Sequence, residues 1–268
     1  MSVAQALKAV LKAYVKAELL RSKGFVIGIF SLMLWLVMFL APTALFRSPQ
    51  VSPEVISAYA LVAIAVFVSY STATWDWAWE LRWLMYQGIL EHVLLSGESV
   101  FVLFAGVLPV SLIWLALTIT GSYALLTSLI AQPLLRIAEP LPLALGIITL
   151  GVVLIAYALL LGGVTISTGT SGPVIELIGW VLPIATGGLT PLSTLPEAIQ
   201  VIALATPFSY PAELIRYGLG LSPPILDPDL TCAVGVLYAA AFLCFAVIFF
   251  KLQLKKILKE GVKTVAMY

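Results

Sequence analysis

The sequence contains one arrangement that resembles a catalytic motif, and the partners of that motif are missing. Gly169, Thr170, Ser171 and Gly172 have the G-x-S-G spacing found around some serine nucleophiles. A serine nucleophile needs a base within hydrogen-bond reach. His92 is the only histidine, and it lies in a predicted loop rather than on a helix that faces Ser171. We therefore expect a turn rich in glycine and serine here, rather than the site of an intramembrane protease.

Metal and nucleotide chemistry also lack their ligands in this sequence. A zinc site needs a cluster of histidine, cysteine or carboxylate ligands, whereas the chain has one histidine and two distant cysteines, Cys232 and Cys244. A phosphate-binding loop of the G-x-x-x-x-G-K-[ST] type needs a Gly-Lys pair, and the sequence contains none. We therefore expect no metal or cofactor on this chain and no ATP hydrolysis by it.

The charged residues occupy short segments between long apolar stretches, and two groups of them could bind or pair. The first group combines carboxylates, a guanidinium and an imidazole: Glu80, Arg82, Glu91, His92 and Glu98. The second group is Glu213 and Arg216, whose spacing of three residues predicts an ion pair on one face of a helix.

Membrane-spanning helices must position these residues, because lipid is the only solvent that fits the composition. Apolar residues make up 62% of the chain, charged residues make up 10%, and the mean hydropathy is +1.10. A soluble domain carries roughly a quarter charged residues, and a spanning helix needs about 20 largely apolar ones. The sequence predicts an all-α integral membrane protein with six transmembrane helices, at 24–46, 55–75, 100–121, 141–164, 174–189 and 231–250.

Basic residues predict the orientation of the chain. They precede the first apolar segment and follow the last one: Lys8, Lys12, Lys16, Arg21 and Lys23, then Lys251, Lys255, Lys256, Lys259 and Lys263. Because basic residues near span ends favour the cytoplasm, both termini are predicted to be cytoplasmic and the number of spans to be even. We expect a multi-pass protein of the cell membrane. The net charge of +1 gives no reason to expect a nucleic-acid partner.

Three segments outside the spans have helical patterns of their own. Residues 1–23 place apolar residues and lysines at helical spacing, which predicts an amphipathic helix in the cytoplasmic interface. Residues 80–96 predict a cytoplasmic helix whose apolar stripe contacts either a partner protein or the membrane. Residues 194–221 predict two short helices broken at Pro207, with Thr194 and Glu197 as a capping box, forming a re-entrant hairpin or an ordinary outer loop.

Two smaller features leave alternatives open. Residues 123–138 are apolar but contain Gln132, Pro133 and Arg136, so they either extend the third span or lie in the interface. Gly24 and Gly28 form a G-x-x-x-G pattern, which allows close helix packing at a dimer seam or within one subunit.

The order of these segments around six spans resembles the permease subunits of the type-2 ABC exporter family, over nearly the whole chain. Members carry an amphipathic connecting helix, a coupling helix between the second and third spans, and a re-entrant hairpin before the sixth span. One local match is Glu80 followed by Gly88, Ile89, Leu90 and Glu91, then Leu94, Leu95 and Ser96, although Ile89 replaces the usual Thr and no Pro follows Ser96. The other is Gly187, Gly188, Pro191, Leu195, Pro196, Pro207, Tyr210 and Arg216.

The resemblance implies a division of labour between subunits. A cytoplasmic ABC ATPase subunit, which holds ATP and magnesium, would dock onto the coupling helix, and two permease copies would form the pathway as a homodimer or heterodimer in the lipid bilayer. The implied ATPase-coupling residues are Glu80, Arg82, Gly88, Leu90, Glu91 and Leu94, with Arg82 and Glu91 as polar contacts and Leu90 and Leu94 as apolar ones. The implied hairpin residues are Gly187, Gly188, Pro191, Pro196, Pro207, Tyr210, Glu213 and Arg216.

The predicted pathway surface combines apolar and hydroxyl groups from Trp114, Thr118 and Tyr157. This surface and the scarcity of charge indicate a hydrophobic or amphiphilic substrate, such as a lipid, a drug or a lipid-linked glycan, all of which family members export. An ion- or proton-coupled carrier is the alternative, although such proteins keep ionisable residues at mid-membrane depth, where this chain has almost none. A scaffold subunit of a membrane complex is the third hypothesis.

Overall fold

Every regular element in the described part of the chain is a helix. A computed structural model describes residues 3–20, 23–45, 51–97, 99–168 and 172–260, and some side chains within these ranges, including those of Glu91 and Glu176, are outside the description. The helices are α1 (Val3–Tyr14), α2 (Lys23–Leu45), α3 (Pro53–Thr72), α4 (Trp79–Tyr86), α5 (Ile89–Leu95), α6 (Val100–Leu129), α7 (Pro140–Thr168), α8 (Gly172–Ala185), α9 (Glu197–Leu204), α10 (Ser209–Gly218) and α11 (Pro228–Glu260). A π-helical turn, Val15–Leu20, follows α1, another, Ala73–Ala78, joins α3 to α4, and a 3-10 turn, Leu192–Thr194, precedes α9.

Four helices in the described residues are long and apolar enough to cross a membrane, by length and composition. They are Pro53–Tyr86, in which α3 and α4 are continuous, Val100–Leu129, Pro140–Thr165 and Pro228–Lys259. A fifth candidate is the pair of α9 and α10, which is bent by 100° at its junction. The all-helical prediction is confirmed, and four of the six predicted spans fall on these four helices; the fifth candidate lies in the segment predicted as a re-entrant hairpin.

The two remaining predicted spans fall on α2 and α8. α2 covers the predicted span 24–46, but its apolar stretch with described side chains is Ile27–Met38. α8 has 14 residues and ends at Ala185 rather than at residue 189. Its length is about 21 Å, against a hydrocarbon core of about 30 Å. The predicted turn around Ser171 lies outside the described residues, as do Arg21 and Lys263.

α7 is the central helix, and α11 and α10 pack along it. α10 runs antiparallel to α7, because Gly218 lies against Leu143 whereas Phe208, just before α10, lies 5.8 Å from Tyr157 between ring centroids. Tyr157 is 17 residues beyond Pro140, which places it about 25 Å along the helix. The α9–α10 junction therefore lies deep among the helices, where Phe208 also contacts the rings of Tyr70 and Phe242.

The N-terminal helices pack against α6. A Cβ on Gly106 of α6 would lie 2.2 Å from a methyl group of Val10, so α1 approaches α6 closely, while its lysines stay exposed. The segment predicted as an amphipathic helix is helical over Val3–Tyr14, its apolar face lies partly against protein, and its position in the cytoplasmic interface stays a prediction. A Cβ on Gly28 of α2 would lie 3.0 Å from the Trp114 ring. Gly28 therefore serves packing within one subunit.

Residues 130–139 form a non-helical loop between α6 and α7, so α6 extends the third predicted span only as far as Leu129. The loop is tied at two points. The Leu134 amide donates to the Glu54 carbonyl at 3.1 Å, and the Ala138 and Glu139 amides donate to the Gly218 carbonyl at 2.9 and 3.1 Å. The loop therefore connects the start of α3 to the end of α10.

Candidate functional site

The predicted coupling helix 80–96 consists of two helices joined by a tight turn. α4 ends at Tyr86, and α5 begins after Gly88, whose φ is 69°. This left-handed conformation costs a residue with a Cβ roughly 1–2 kcal/mol. The Gly88 amide donates to the Met85 carbonyl at 3.0 Å, which closes the turn. Gly88 thus sets the direction in which α5 leaves the long helix.

α5 is held by one face and exposed on the other. Leu90 is 0% exposed, and Leu94 is half-buried against the same core. On this geometry Leu90 attaches α5 to the rest of the chain, and its predicted contact with an ATPase stays a prediction. Among the described side chains of α5, the exposed ones are those of Ile89, His92 and Leu95, and Leu95 is 84% exposed.

The polar coupling residues of α4 both have partners in the chain. The Arg82 guanidinium carbon lies 4.4 Å from the centroid of the Trp79 ring, a cation–π contact. Glu80 accepts a hydrogen bond from the Tyr14 hydroxyl of α1. Glu80 therefore links α4 to α1, while the side chain of Glu91 lies outside the described residues.

The Tyr14–Glu80 hydrogen bond keeps its donor over a wide pH range. Burial, together with the hydrogen bond to Glu80 and the charges of Glu80 and Glu18, raises the pKa of Tyr14 above its ordinary value. The hydroxyl stays protonated at every physiological pH. Tyr14 can therefore donate to Glu80 throughout that range.

A pocket of about 220 Å³ lies beside this hydrogen bond. Three carboxylates and four aromatic side chains line it: Glu18, Asp76, Glu80, Tyr14, Trp75, Trp79 and Trp114. No group of three or more histidine, cysteine or acidic residues among the described residues is arranged to hold a metal ion. The predicted pathway residue Trp114 lies here, at the α1–α4–α6 contact.

The ion pair predicted for the hairpin is confirmed, and it is almost completely buried. Arg216 Nη1 lies 3.1 Å from Glu213 Oε1, and the two residues are 1% and 3% exposed. Arg216 Nη2 also donates to the carbonyls of Gly187 and Gly188, the latter at 2.9 Å. The guanidinium thereby holds the segment that follows α8.

Glu213 also accepts hydrogen bonds from two backbone amides. Its Oε1 accepts from the Leu192 amide at 3.2 Å, and its Oε2 accepts from the Ile225 amide at 3.3 Å. Four segments therefore meet at one charged pair, which we call the Glu213–Arg216 junction. The sequence identified both residues through their spacing, but nothing in it pointed to the backbone partners at 187, 188, 192 and 225.

The hairpin begins differently from the prediction. The Thr194 hydroxyl donates to the Pro191 carbonyl at 2.7 Å within the 3-10 turn, and α9 starts after Pro196 without a side-chain cap. The predicted capping box of Thr194 and Glu197 is therefore wrong. The predicted break at Pro207 is confirmed, because α9 ends at Leu204 and α10 begins at Ser209. The Tyr210 hydroxyl of α10 donates to the Leu204 carbonyl at 2.6 Å, which links the two helices across the break.

The predicted pathway residues do not come together. Thr118 donates to the Trp114 carbonyl within α6 at 2.8 Å. Tyr157 is 2% exposed on α7, beside the α9–α10 junction, where its hydroxyl lies 3.3 Å from the Thr74 hydroxyl. Tyr157 thus belongs to the aromatic cluster under the hairpin, and Trp114 and Thr118 belong to the α6 side.

A groove of about 570 Å³, which sequence reasoning missed, separates α3 and α6 from α7 and α10. Its lining comes from these four helices, from Trp77 of the π-helical turn and from Leu135 of the α6–α7 loop. No charged side chain lines it. Six segments contribute, so no local pattern in the sequence could have shown it.

Comparison with known proteins does not supply a function. No protein-family model matches the chain, and no curated protein matches its sequence.

Proposed function

We propose that this chain is the membrane-spanning permease subunit of a type-2 ABC exporter. It has six spans with both termini in the cytoplasm, lies in the cell membrane, and pairs with a second permease copy and a cytoplasmic ATPase subunit that holds ATP and magnesium. The exported compound is hydrophobic or amphiphilic. The observation that carries this proposal is the presentation of α5.

α5 has the properties of a helix that a partner protein can displace. It follows a left-handed glycine at the end of a continuous helix of 34 residues, and its buried face fixes it to the core through Leu90. Its other face offers Ile89, His92 and Leu95 to a partner. A displacement of α5 passes to α4 through the turn and to α1 through the Glu80–Tyr14 hydrogen bond.

This geometry redistributes the coupling roles among the residues. Ile89, His92 and Leu95 are the proposed direct contacts with the ATPase, together with Glu91. Glu80 and Leu90 are positioning residues, because they tie α5 and its neighbours to the rest of the chain. Gly88 is the proposed pivot.

The hairpin region supports the six-span arrangement. Short helices bent by 100° at a junction deep among the other helices suit a re-entrant segment, since irregular backbone at membrane depth is tolerated where protein covers it. The Glu213–Arg216 junction satisfies the loop carbonyls of Gly187 and Gly188 inside the protein. In this arrangement α2 and α8 both cross, and residues 187–227 enter the protein from the outer side and return to it.

An ion- or proton-coupled carrier is the second candidate, favoured by a buried ion pair within a broken helix pair, which is where carriers bind ions. Both oxygens of Glu213 are occupied by backbone amides or by Arg216. A relay carboxylate must instead exchange its proton, so this pair is better suited to a structural role. Transport driven by a proton gradient without ATP would favour the carrier.

The decisive experiment is purification of the tagged chain in a gentle detergent, followed by mass spectrometry and an ATPase assay. We expect a stoichiometric partner with a nucleotide-binding motif. Leu95→Glu and charge reversal at Glu91 should release this partner. Leu258→Glu, which changes another exposed leucine, on α11, should not release it. A chain that purifies without an ATPase, or a partner indifferent to Leu95→Glu, contradicts the proposal and leaves a carrier or scaffold.

A further inference from the structure

Along α7, the groove between α3/α6 and α7/α10 spans about the depth of one leaflet of a bilayer. Along α7 its lining runs from Leu143 to Leu154. These residues are 11 positions apart, or about 16 Å along the helix axis. The hydrocarbon core of a membrane is about 30 Å thick, so the groove covers half of it, starting from the end at which α6 and α7 are joined.

The lining favours a hydrocarbon chain over a polar ligand. Most lining side chains are leucine, isoleucine, valine or alanine. The Ser69 hydroxyl, one of the few polar groups, already donates to the Ala65 carbonyl at 2.6 Å. A ligand with many hydroxyl groups would lose its hydrogen bonds to water without replacement. The volume of about 570 Å³ lies within the range of small-molecule sites.

One positive charge, Arg136, lies in the α6–α7 loop whose Leu135 lines the groove, and Glu139 lies three residues further along the same loop. Leu135 lines the groove, and the next residue, Arg136, is exposed and makes no ion pair with any described residue. Leu134 is 54% exposed and Ile137 65% exposed on either side of this pair. A guanidinium between apolar side chains is typical of a segment at the depth of lipid headgroups. Guanidinium groups bind phosphate through paired hydrogen bonds.

We infer that the groove binds one acyl chain of an anionic phospholipid, whose phosphate contacts Arg136. The lipid comes from the leaflet on the side of the α6–α7 loop, and its chain lies between α6 and α7 with its end toward Trp77. This site requires only that α3, α6 and α7 lie in a membrane. The site does not depend on an ATPase, so the chain without a partner should bind the lipid.

The test uses the full chain in phosphatidylcholine vesicles doped with phosphatidylglycerol that carries a diazirine near the end of one acyl chain. After irradiation, we expect most cross-links on α7 peptides around Leu150 and Leu154. The exposed face of α11 around Leu237 should carry fewer. The same diazirine on phosphatidylcholine should label the groove less. Arg136→Gln should reduce the preference for phosphatidylglycerol about fivefold, which is the contribution of one arginine near a membrane surface.

Gly151 allows the groove to be filled without disturbing the fold. It lines the groove, and a Cβ built on it meets no atom within 4 Å. Gly151→Ala, Gly151→Leu and Gly151→Phe should reduce groove labelling stepwise, to about a tenth for phenylalanine, since each displaced methylene weakens chain binding. Ile148→Phe is the matched control, because Ile148 lies on α7, is 61% exposed and does not line the groove.

Three results would overturn the inference. These are equal labelling of the groove and of α11, no difference between Gly151→Phe and Ile148→Phe, and a groove that cross-links to a second copy of the chain instead of to lipid. A chain that recruits no ATPase but labels in the groove would retain the lipid site and lose the proposed permease role. The two proposals therefore fail separately.

Discussion

Removing a guanidinium and a carboxylate from water costs several kcal/mol for each ion, and the Glu213–Arg216 junction offsets this cost with hydrogen bonds. Arg216 donates to Glu213, Gly187 and Gly188, and Glu213 accepts from two backbone amides. Gly187 has a φ of 74°, and a Cβ on Gly188 would lie 2.6 Å from the Pro183 carbonyl oxygen. The glycines are therefore needed so that both carbonyls can reach one guanidinium.

Arg216→Ala should destabilise the protein by about 3–5 kcal/mol, because it leaves the Glu213 carboxylate buried without its counter-ion. Chemical unfolding in detergent, followed by tryptophan fluorescence, measures this difference. Arg82→Ala is the control, since the half-buried cation–π contact with Trp79 is worth only about 1 kcal/mol. Equal losses from the two substitutions would mean that the junction is not a structural centre.

The Tyr14–Glu80 hydrogen bond should make the docking of α1 sensitive to alkaline pH. Because the pKa of Tyr14 is raised in the folded protein, folding favours the protonated hydroxyl. Its contribution is complete below the ordinary tyrosine pKa of about 10 and declines as pH rises through that value toward the folded pKa. Amide hydrogen exchange of α1, corrected for intrinsic rates, should accelerate above this pH in the wild type.

Tyr14→Phe provides the control for this titration. It should show faster exchange of α1 at neutral pH, by the loss of about 1–3 kcal/mol for a hydrogen bond to a charged group. It should also remove the alkaline change. A pH response that persists in Tyr14→Phe would assign it to another group.

At the scale of the elements, the residue at which a helix ends differs from the residue at which its membrane-spanning part is predicted to end. Hydropathy places the end of the second span at residue 75, where charged residues begin, but the helix continues to Tyr86. No glycine or proline interrupts the sequence between Pro53 and Gly88. Hydropathy indicates which residues lie in lipid. The helix itself continues until a residue such as glycine lets the backbone leave the helical conformation. The sequence therefore predicted the α5 region but not that Glu80 and Arg82 extend the long helix.

Gly88→Ala should destabilise the α4–α5 turn by about 1–2 kcal/mol, through its positive φ alone, since a Cβ there meets no atom within 4 Å. Gly88→Asn should be better tolerated, because asparagine adopts this conformation more readily. Hydrogen exchange of α5 amides measures the local change. If alanine and asparagine behave alike, the turn does not depend on the left-handed conformation.

The hairpin shows why local motifs were only partly predictive. Prolines marked its break reliably, because proline lacks an amide donor and restricts its neighbours. The capping box failed because α9 begins after Pro196, so Thr194 is not at the N-cap, and the Thr194 amide that Glu197 would have accepted from donates instead to the Pro191 carbonyl at 3.1 Å. Competition of this kind depends on the three-dimensional path of the chain and cannot be read from spacing.

For the whole molecule, the apolar segments predicted the long helices well, but they did not predict how the helices divide around the groove. Residues such as Leu61, Leu112 and Leu154 are ordinary apolar residues in the sequence, and only the tertiary arrangement aligns them on one cavity. α8 also keeps a large exposed apolar face, with Leu177 66% and Trp180 54% exposed. Lipid or a second copy of the chain must cover this face.

The number of spans can be measured by cysteine labelling in a variant in which Cys232 and Cys244 are replaced. With six spans, a cysteine at Thr190, in the exposed loop after α8, should react with an impermeant maleimide on intact cells. A cysteine at His92, on the exposed face of α5, should react only after the membrane is opened. Glu139→Cys, in the α6–α7 loop, serves as the outer control. Protection of position 190 in intact cells would show that α8 does not cross.

The hydrogen bond from Ile225 to Glu213 also sets an order for biosynthesis. The chain leaves the ribosome from its N-terminus, so both charged residues emerge before Ile225 and well before α11. During that interval one carboxylate oxygen has no backbone donor, and lipid is a poor environment for it. We therefore expect the nascent hairpin to wait in the aqueous vestibule of the insertion machinery until the last helix arrives. Nascent chains arrested before Ile225 should remain cross-linked to that machinery, and chains arrested beyond α11 should be released into the bilayer.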